Sequence, residues 1–358
     1  MATLDDIAAI RALDPGNMYN RIFDFPEQMA EAIKIVDAWK IQPAEFSGIT
    51  NIVLVGMGGS AIGGDLVRTF LQNRLMIPFH VCRHYVLPEF VDDETLVIVS
   101  SYSGNTEETL AAVDDAIGRK ALLVALTTGG MLAEVAKLNE IPTVILPAGL
   151  QPRAALGYSF VPVLALMEKI GLAKALVKEL QVGIKDLEMW REKYIEDNPT
   201  DRNPAKIIAS RVQGKIAIVY GGPTVTDVVA TRWKGQLCEN AKNLAFANVF
   251  PELNHNELVG WCDIVKPHAD HLAVILLRDA SDHPRVVRRM DIVKELIEKT
   301  GVDVIQATAT GASAISRMLS LIQLGDFVSY YLAVLNKVDP TPVAAIEALK
   351  KALAEPSE

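Results

Sequence analysis

The stretch Ser101-Tyr102-Ser103-Gly104-Asn105-Thr106-Glu107-Glu108-Thr109 follows an apolar run, TLVIVS, and opens a helical pattern. That order of residue types suits a phosphate cradle. The first-turn N–H groups of a helix lack intrahelical partners, Gly104 allows close backbone approach, and Ser101, Ser103 and Thr106 add neutral donors. Helix capping alone also favours Ser and Thr at such positions, but three spaced hydroxyls exceed what one cap uses. A second loop, Gly56-Met57-Gly58-Gly59-Ser60-Ala61-Ile62-Gly63-Gly64, follows the run NIVLV. Gly56, Gly58 and Ala61 loosely satisfy a dinucleotide fingerprint. About 20 residues on, where an acidic residue would bind a ribose, the chain offers Cys82, Arg83 and His84, which suit at most a 2′-phosphate. The other reading is a glycine loop in which Gly58 and Gly59 admit a sugar to the backbone and Ser60 binds its hydroxyls. Tight strand–helix packing would account for the same glycines without any ligand.

The elements that would position these loops can be traced along the chain. At 358 residues it exceeds the usual span of one hydrophobic core, so two domains are expected. Half the residues are apolar and 22% are charged, which leaves little room for disorder. A net charge of −9 disfavours non-specific nucleic-acid binding, so an anionic ligand requires a concentrated local site. Cys82, Cys238 and Cys262 are odd in number and lack metal-ligand spacing, as expected of reduced thiols in a cytoplasmic protein. No export signal and no run of about 18 uncharged apolar residues is evident, so no membrane partner is expected.

Residues 1–40 hold an N-terminal helical segment, with helical periodicity from Pro26 to Trp39. Residues 41–197 carry five short apolar runs alternating with helical stretches, the pattern of a parallel sheet covered on both faces. Helical periodicity from Arg153 to Ile195 ends at a break rich in Asp, Asn and Pro, where the domain boundary is placed. Residues 198–340 repeat the alternation, with KIAIVYG, HLAVILL and VDVIQA as strands. NIVLVGMGGS can be laid on KIAIVYGGPT, matching Gly58 to Gly222 and Ser60 to Thr224, as in a tandem duplication. The counterpart of the hydroxyl cluster is LLRDASDHP, so only the first half keeps that chemistry. Residues 341–358 read as a C-terminal helix with Thr341 at the N-cap and Pro342 at the first helical position. His268 and His271 are three apart, but Pro267 and a strand expected to start at His271 argue against a shared helical face.

Taken in order, GMGGSAIGG, SYSGNTEET, PRAALGY, CENAK and NHNE resemble the bifunctional phosphoglucose/phosphomannose isomerases of the SIS-domain sugar isomerase superfamily. The resemblance runs from about residue 20 to the C-terminal helix. It implies an α/β chain of two tandem SIS-type, flavodoxin-like domains, each a parallel sheet flanked by helices. It also implies reversible isomerisation of glucose 6-phosphate and mannose 6-phosphate with fructose 6-phosphate through a cis-enediol, with no cofactor and no metal. By residue, Glu239 matches the glutamate that shuttles the proton between C1 and C2. Its own setting leaves it open between a surface glutamate flanked by Lys234 and Lys242 and a base partly desolvated by Trp233, Leu237 and Leu244. His255 matches the histidine that opens the pyranose ring, Arg153 the cation beside the enediolate, and Lys350 the lysine that assists ring opening, with Lys351 adjacent. The phosphate is expected on Ser101, Ser103 and Thr106, and the sugar across Gly58, Gly59 and Ser60. The family resemblance further implies a homodimer with a shared active site, and Phe246, Val249, Phe250, Leu253, Leu258 and Trp261 around His255 suit an interface, the alternative being that they pack inside their own domain. The alternatives are a related sugar-phosphate isomerase or a non-catalytic sugar-phosphate sensor, the latter not needing Glu239 and His255 together.

Overall fold

The computed structural model describes residues 4–354. Three helices lead in: α1 (Ile7–Ala12), α2 (Met18–Phe23) and α3 (Phe25–Ala38). The third is the helix expected from Pro26 to Trp39, while the two short ones lack a full amphipathic period in the sequence. In the first half follow β1 (Asn51–Val55), α4 (Gly58–Leu71), β2 (Phe79–Cys82), β3 (Thr95–Ser100), α5 (Glu107–Gly118), β4 (Leu122–Thr127), α6 (Gly130–Leu138) and β5 (Thr143–Ile145). These five strands form one parallel sheet in the order β2-β1-β3-β4-β5, with Val55 beside both Cys82 and Val99. Every residue of β3 is buried, as an apolar strand covered on two faces must be. The order reverses between β1 and β3, and ligands of open α/β sheets bind outside the strand carboxyl ends at such a point. Both loops singled out above lie there.

Helices α7 (Leu156–Lys169) and α8 (Leu176–Arg191) carry the chain to the second half. Glycines set how closely α4 sits. A Cβ on Gly63 would lie 2.7 Å from the backbone of Ser159 in α7, and one on Gly64 would lie 2.7 Å from the Leu54 side chain in β1. The second half opens at α9 (Pro204–Val212), where Asn203 accepts from the N–H groups of Ala205 and Lys206. Then come β6 (Ile216–Gly221), α10 (Asp227–Glu239), β7 (Ala245–Val249), β8 (Leu272–Arg278), α11 (Pro284–Glu298), β9 (Asp303–Thr308), α12 (Ala314–Leu335) and α13 (Ala344–Ala354). Its four parallel strands run β7-β6-β8-β9, the order of the first sheet without a fifth strand.

One apolar cluster extends from Leu4 to Val334 and contains the inner faces of both sheets, so the packing is continuous across residues 197 and 198. Smaller clusters lie on the outer faces. Helix α12 is the spine of the shared layer. By length and composition it could cross a membrane, although Arg317 and Asp326 interrupt its apolar run, and 94% of its apolar window is buried inside the protein. Gly325 lets Trp233 of α10 seat against it, and the Trp233 indole donates to the Leu321 carbonyl at 2.8 Å.

Several local expectations need correction. β7 was absent from the reading because it is an edge strand with a half-exposed Phe246 and an Asn, not a continuous apolar run. Thr224 does not stand where Ser60 does: Ser60 is in the first turn of α4, whereas α10 starts only at Asp227, and Thr224 occupies the loop at φ 78°. The C-terminal helix begins at Ala344 rather than Pro342. Thr341 packs so closely on Gly16 that a Cβ there would meet its side chain, and the Thr341 carbonyl is taken by Arg153, which keeps the chain out of helical geometry. Finally, Asp263–His271 forms 3-10 turns and β8 starts at Leu272, so His268 and His271 do share a face. Both are exposed, and among the described residues no group of three metal-ligating side chains converges.

Candidate active site

Helix α4 begins at Gly58, which adopts φ 50°, and no side chain caps it. A Cβ on Gly59 would lie 2.5 Å from the Pro152 carbonyl oxygen. Glycine at 59 therefore lets the turn Pro152–Ala154 press against the start of α4, and this contact delivers Arg153. From the other half, α10 brings a polar stripe at helical spacing, Arg232, Gln236 and Glu239, beside the apolar face of Val229, Trp233 and Leu237. The two halves enclose a cleft of about 270 Å³ lined by Gly58, Gly59, Arg83, Arg153, Arg232, Lys234, Gln236 and Glu239, among others.

Arg153 is 4% exposed, and its guanidinium bonds four acceptors. Its Nε donates to Asn240 Oδ1 at 2.6 Å, Nη2 to the carbonyls of Pro340 and Thr341 at 2.7 Å each, and Nη1 to Glu239 Oε2 at 3.4 Å. Burial pushes the Arg153 guanidinium down and the Glu239 carboxylate opposes it. Even so, an arginine stays charged at neutral pH. The carboxylate of Glu239 is about one-third exposed at the cleft wall, with its backbone carbonyl held by Lys242 Nζ at 2.7 Å. Lys242, itself at φ 52°, thus caps the end of α10 and also reaches the Pro340 carbonyl at 3.2 Å. Trp233 and Leu237, expected beside the carboxylate, turn into the core instead, and Leu244 is exposed.

Behind the cleft lies a buried ion pair. Arg232 donates to Asp326 Oδ2 at 2.6 Å and to the Arg153 carbonyl at 3.2 Å, and Gln236 donates to Asp326 Oδ1 at 2.8 Å. Burial raises the Asp326 carboxyl, against the pull of Arg232.

The hydroxyl loop adjoins this cleft without lining it. Ser60 Oγ accepts the Tyr102 N–H at 3.2 Å, which ties the glycine loop to the hydroxyl loop. Ser101 is buried, its hydroxyl donates to Thr106 Oγ1 at 3.0 Å, and it accepts the Gly104 N–H at 3.1 Å. Gly104, at φ 70°, lies so close to the Gly129 carbonyl that no side chain fits. Thr106 precedes α5 without capping it by its side chain, so the first-turn N–H groups stay open, and Ser103 is exposed. In the second half the equivalent loop after β8 holds Asp279 and Asp282, both buried, with Arg317 paired to Asp279 at 2.8 Å. Two carboxylates there repel a phosphate.

The structure therefore brings Gly58, Gly59, Arg153 and Glu239 to one cleft, with Ser60, Ser101, Ser103 and Thr106 on the two adjoining loops. It does not bring His255 or Lys350 to that cleft within one chain. His255 is the exposed last residue of the turn Glu252–His255, and Lys350 lies on the exposed helix α13. Glu239 also borders a larger groove of about 560 Å³ with Cys238, Leu244 and Pro342 to Ile346, whose apolar walls do not suit a polyhydroxylated anion. Missed by the reading were Arg232, Gln236 and Asn240. The signal was available in the polar spacing of 232, 236 and 239 within a buried helix, since buried polar side chains must find partners.

Residues 201–353 match the model of the bacterial phospho-glucose isomerase C-terminal SIS domain. The chain is 45% identical over 338 residues to a bifunctional phosphoglucose/phosphomannose isomerase of Caldicellulosiruptor bescii, covering 94% of this chain and 99% of that protein. It is 38% identical to one of Aquifex aeolicus, covering 91% and 99%. The tagatose-6-phosphate ketose/aldose isomerase of Escherichia coli has the same fold, with a TM-score of 0.72 at 14% identity over 91% of this chain and 95% of that one.

The buried Arg232–Asp326 pair makes a stability prediction. Asp326→Ala strands Arg232 in the core, which typically costs about 3–5 kcal/mol. Equilibrium denaturation of the variant is expected to show that loss, and a loss under about 1 kcal/mol would mean that water reaches Arg232.

Proposed function

The chain belongs to the family of bifunctional phosphoglucose/phosphomannose isomerases, and from that premise we propose how its residues divide the reaction. The enzyme interconverts glucose 6-phosphate and mannose 6-phosphate with fructose 6-phosphate. The observation that carries the mechanism is the pairing of Glu239 with Arg153 at 3.4 Å on the wall of a cleft floored by Gly58 and Gly59. The Glu239 carboxylate removes the proton from C2 of the open-chain aldose, leaving a cis-enediolate. It returns the proton to C1 as the C2 oxygen becomes the carbonyl, while the C1 carbonyl oxygen takes up the hydroxyl proton. Negative charge on the enediolate oxygen develops beside Arg153, a fixed cation that need not reorganise. C2 is planar in the intermediate, so the two epimeric aldoses share it, which accounts for both activities.

The phosphate is taken by Ser101, Ser103 and Thr106 together with the open N–H groups of α5. Lys234 adds an exposed cation to the cleft within a chain of net charge −9, with Arg83 beside it paired to Asp65, and that favours entry of a dianion. Ser60 lies between the two subsites. Ring opening falls to His255 as general acid, with Lys350 assisting near the ring oxygen. The exposure of His255 outside the cleft lining supports a two-fold homodimer in which the partner subunit's His255 completes each site. Of the apolar residues expected at that interface, Phe250 and Leu253 are buried in their own half with Leu258 and Trp261 packed against them, and the exposed Phe246, Val259 and Ile264 are what support the arrangement. Three free cysteines suit a cytoplasmic location.

The direct assay is turnover of glucose 6-phosphate and mannose 6-phosphate by purified protein and by Glu239→Gln. The wild type is expected to turn over both. The variant, which keeps shape and loses the base, is expected to fall at least about a hundredfold in kcat with little change in KM. Near-normal turnover in Glu239→Gln would remove that residue from proton transfer, and a wild type inactive on both sugars would favour a sensor. Differently tagged Glu239→Gln and His255→Ala chains test the shared site. The doubly tagged mixed dimer is expected to regain one intact site from two inactive parents, whereas a mixed dimer as inactive as its parents would exclude a site shared in this way.

A further inference from the structure

Arg153 is useful to an enediolate only if its plane is held in one orientation, and the structure shows what holds it. The two Nη2 bonds go to backbone carbonyls at 340 and 341, on the segment leading to the exposed helix α13. Nε has a single hydrogen, and its bond to Asn240 Oδ1, at 2.6 Å, is the shortest Arg153 makes. That bond sets the roll of the guanidinium. Asn240 is fully buried and directly follows Glu239, so one turn of chain carries both the base and the anchor of the cation.

The amide of Asn240 is itself fixed. Its Nδ2 donates to Ser329 Oγ at 2.9 Å, and Ser329 Oγ donates to the Asp326 carbonyl at 2.7 Å. Flipping the amide would set a donor against Arg153 Nε and would draw the Ser329 hydroxyl away from the Asp326 carbonyl to donate to the amide oxygen. The neutral character of Asn240 matters as much as its position. A carboxylate there would satisfy Nε equally well but would pair permanently with the cation. As built, the carbonyls of Pro340 and Thr341 and the amide of Asn240 hold Arg153 without neutralising it, and its one anionic contact is Glu239.

We infer that Asn240 is a positioning residue for the isomerisation, acting through Arg153 by fixing the guanidinium with a neutral acceptor. This rests on the reading of Arg153 as the group beside the enediolate. Ser329, on α12, acts one step further back. Asn240→Asp separates charge from geometry because it keeps the volume and the Nε acceptor.

The test is steady-state kinetics on fructose 6-phosphate for Asn240→Asp, Asn240→Ala, Arg153→Ala and the Asn240→Ala/Arg153→Ala double variant, with inhibition by inorganic phosphate measured for each. Both Asn240 variants are expected to lose at least about tenfold in kcat, with the phosphate inhibition constant within about twofold of wild type. The double variant is expected to be no slower than Arg153→Ala alone, because a residue acting through Arg153 has nothing left to position. Should Asn240→Ala fail to fold, as a thermal melt would reveal, Asn240→Asp and Ser329→Ala with its Arg153→Ala double carry the same comparison. Normal kcat in Asn240→Asp, or losses that multiply in the double variant, would overturn the inference while Arg153→Ala remains impaired. Full turnover by Arg153→Ala would instead overturn the reading of Arg153 and the inference with it.

Discussion

A guanidinium that is 4% exposed has little water to stabilise it, so Arg153 must be held by protein groups from every side. Those groups come from two places, the end of α10, which supplies Glu239 and Asn240, and the segment before α13, while the core helix α12 stands behind Asn240. Removing any one leaves a buried charge short of a partner, so the site and the packing of the two halves are one problem. The close approach at Gly59 is the same constraint seen from the first half. Without a glycine there the turn carrying Arg153 could not reach the cleft.

The duplicated sheets divide the labour electrostatically. In the first half the loops after β1 and β3 present glycines, hydroxyls and unfilled helix N–H groups. In the second half the loop after β8 presents buried Asp279 and Asp282. Its working contribution is instead at the far end of a helix, where Glu239 closes α10 and Lys242 takes the orphan carbonyl. A fold repeated in sequence thus supplies an anion site from one copy and a base from the other, with Arg153 on the connection between them.

How far this was legible in the sequence follows from what kind of signal each residue leaves. The parallel strands β1, β3 and β4 are continuous apolar runs and could be read directly, as could the hydroxyl loop, whose spacing is local. β7 could not, because an edge strand shows no such run. The start of α13 was misplaced because Thr341 and Pro342 form a good local helix start, and a long-range bond from Arg153 overrides it. Glu239 and Arg153 were placed by resemblance, since neither carries a local pattern that separates it from a surface charge. Asn240 left no mark beyond its position in the CENAK motif, because its role is defined by contacts 87 and 89 residues away.

The central claim is that one carboxylate moves a proton between C1 and C2 beside a fixed cation. Hydrogen isotope tracing tests it most directly. In deuterium oxide, conversion of glucose 6-phosphate and of mannose 6-phosphate is expected to place solvent deuterium at C1 of fructose 6-phosphate from both sugars, because a proton held on a partly exposed Glu239 exchanges with water before its return. Product from either sugar with no solvent deuterium at C1, across the whole course of the reaction, would mean that hydrogen passes directly between the carbons and would contradict a carboxylate carrier.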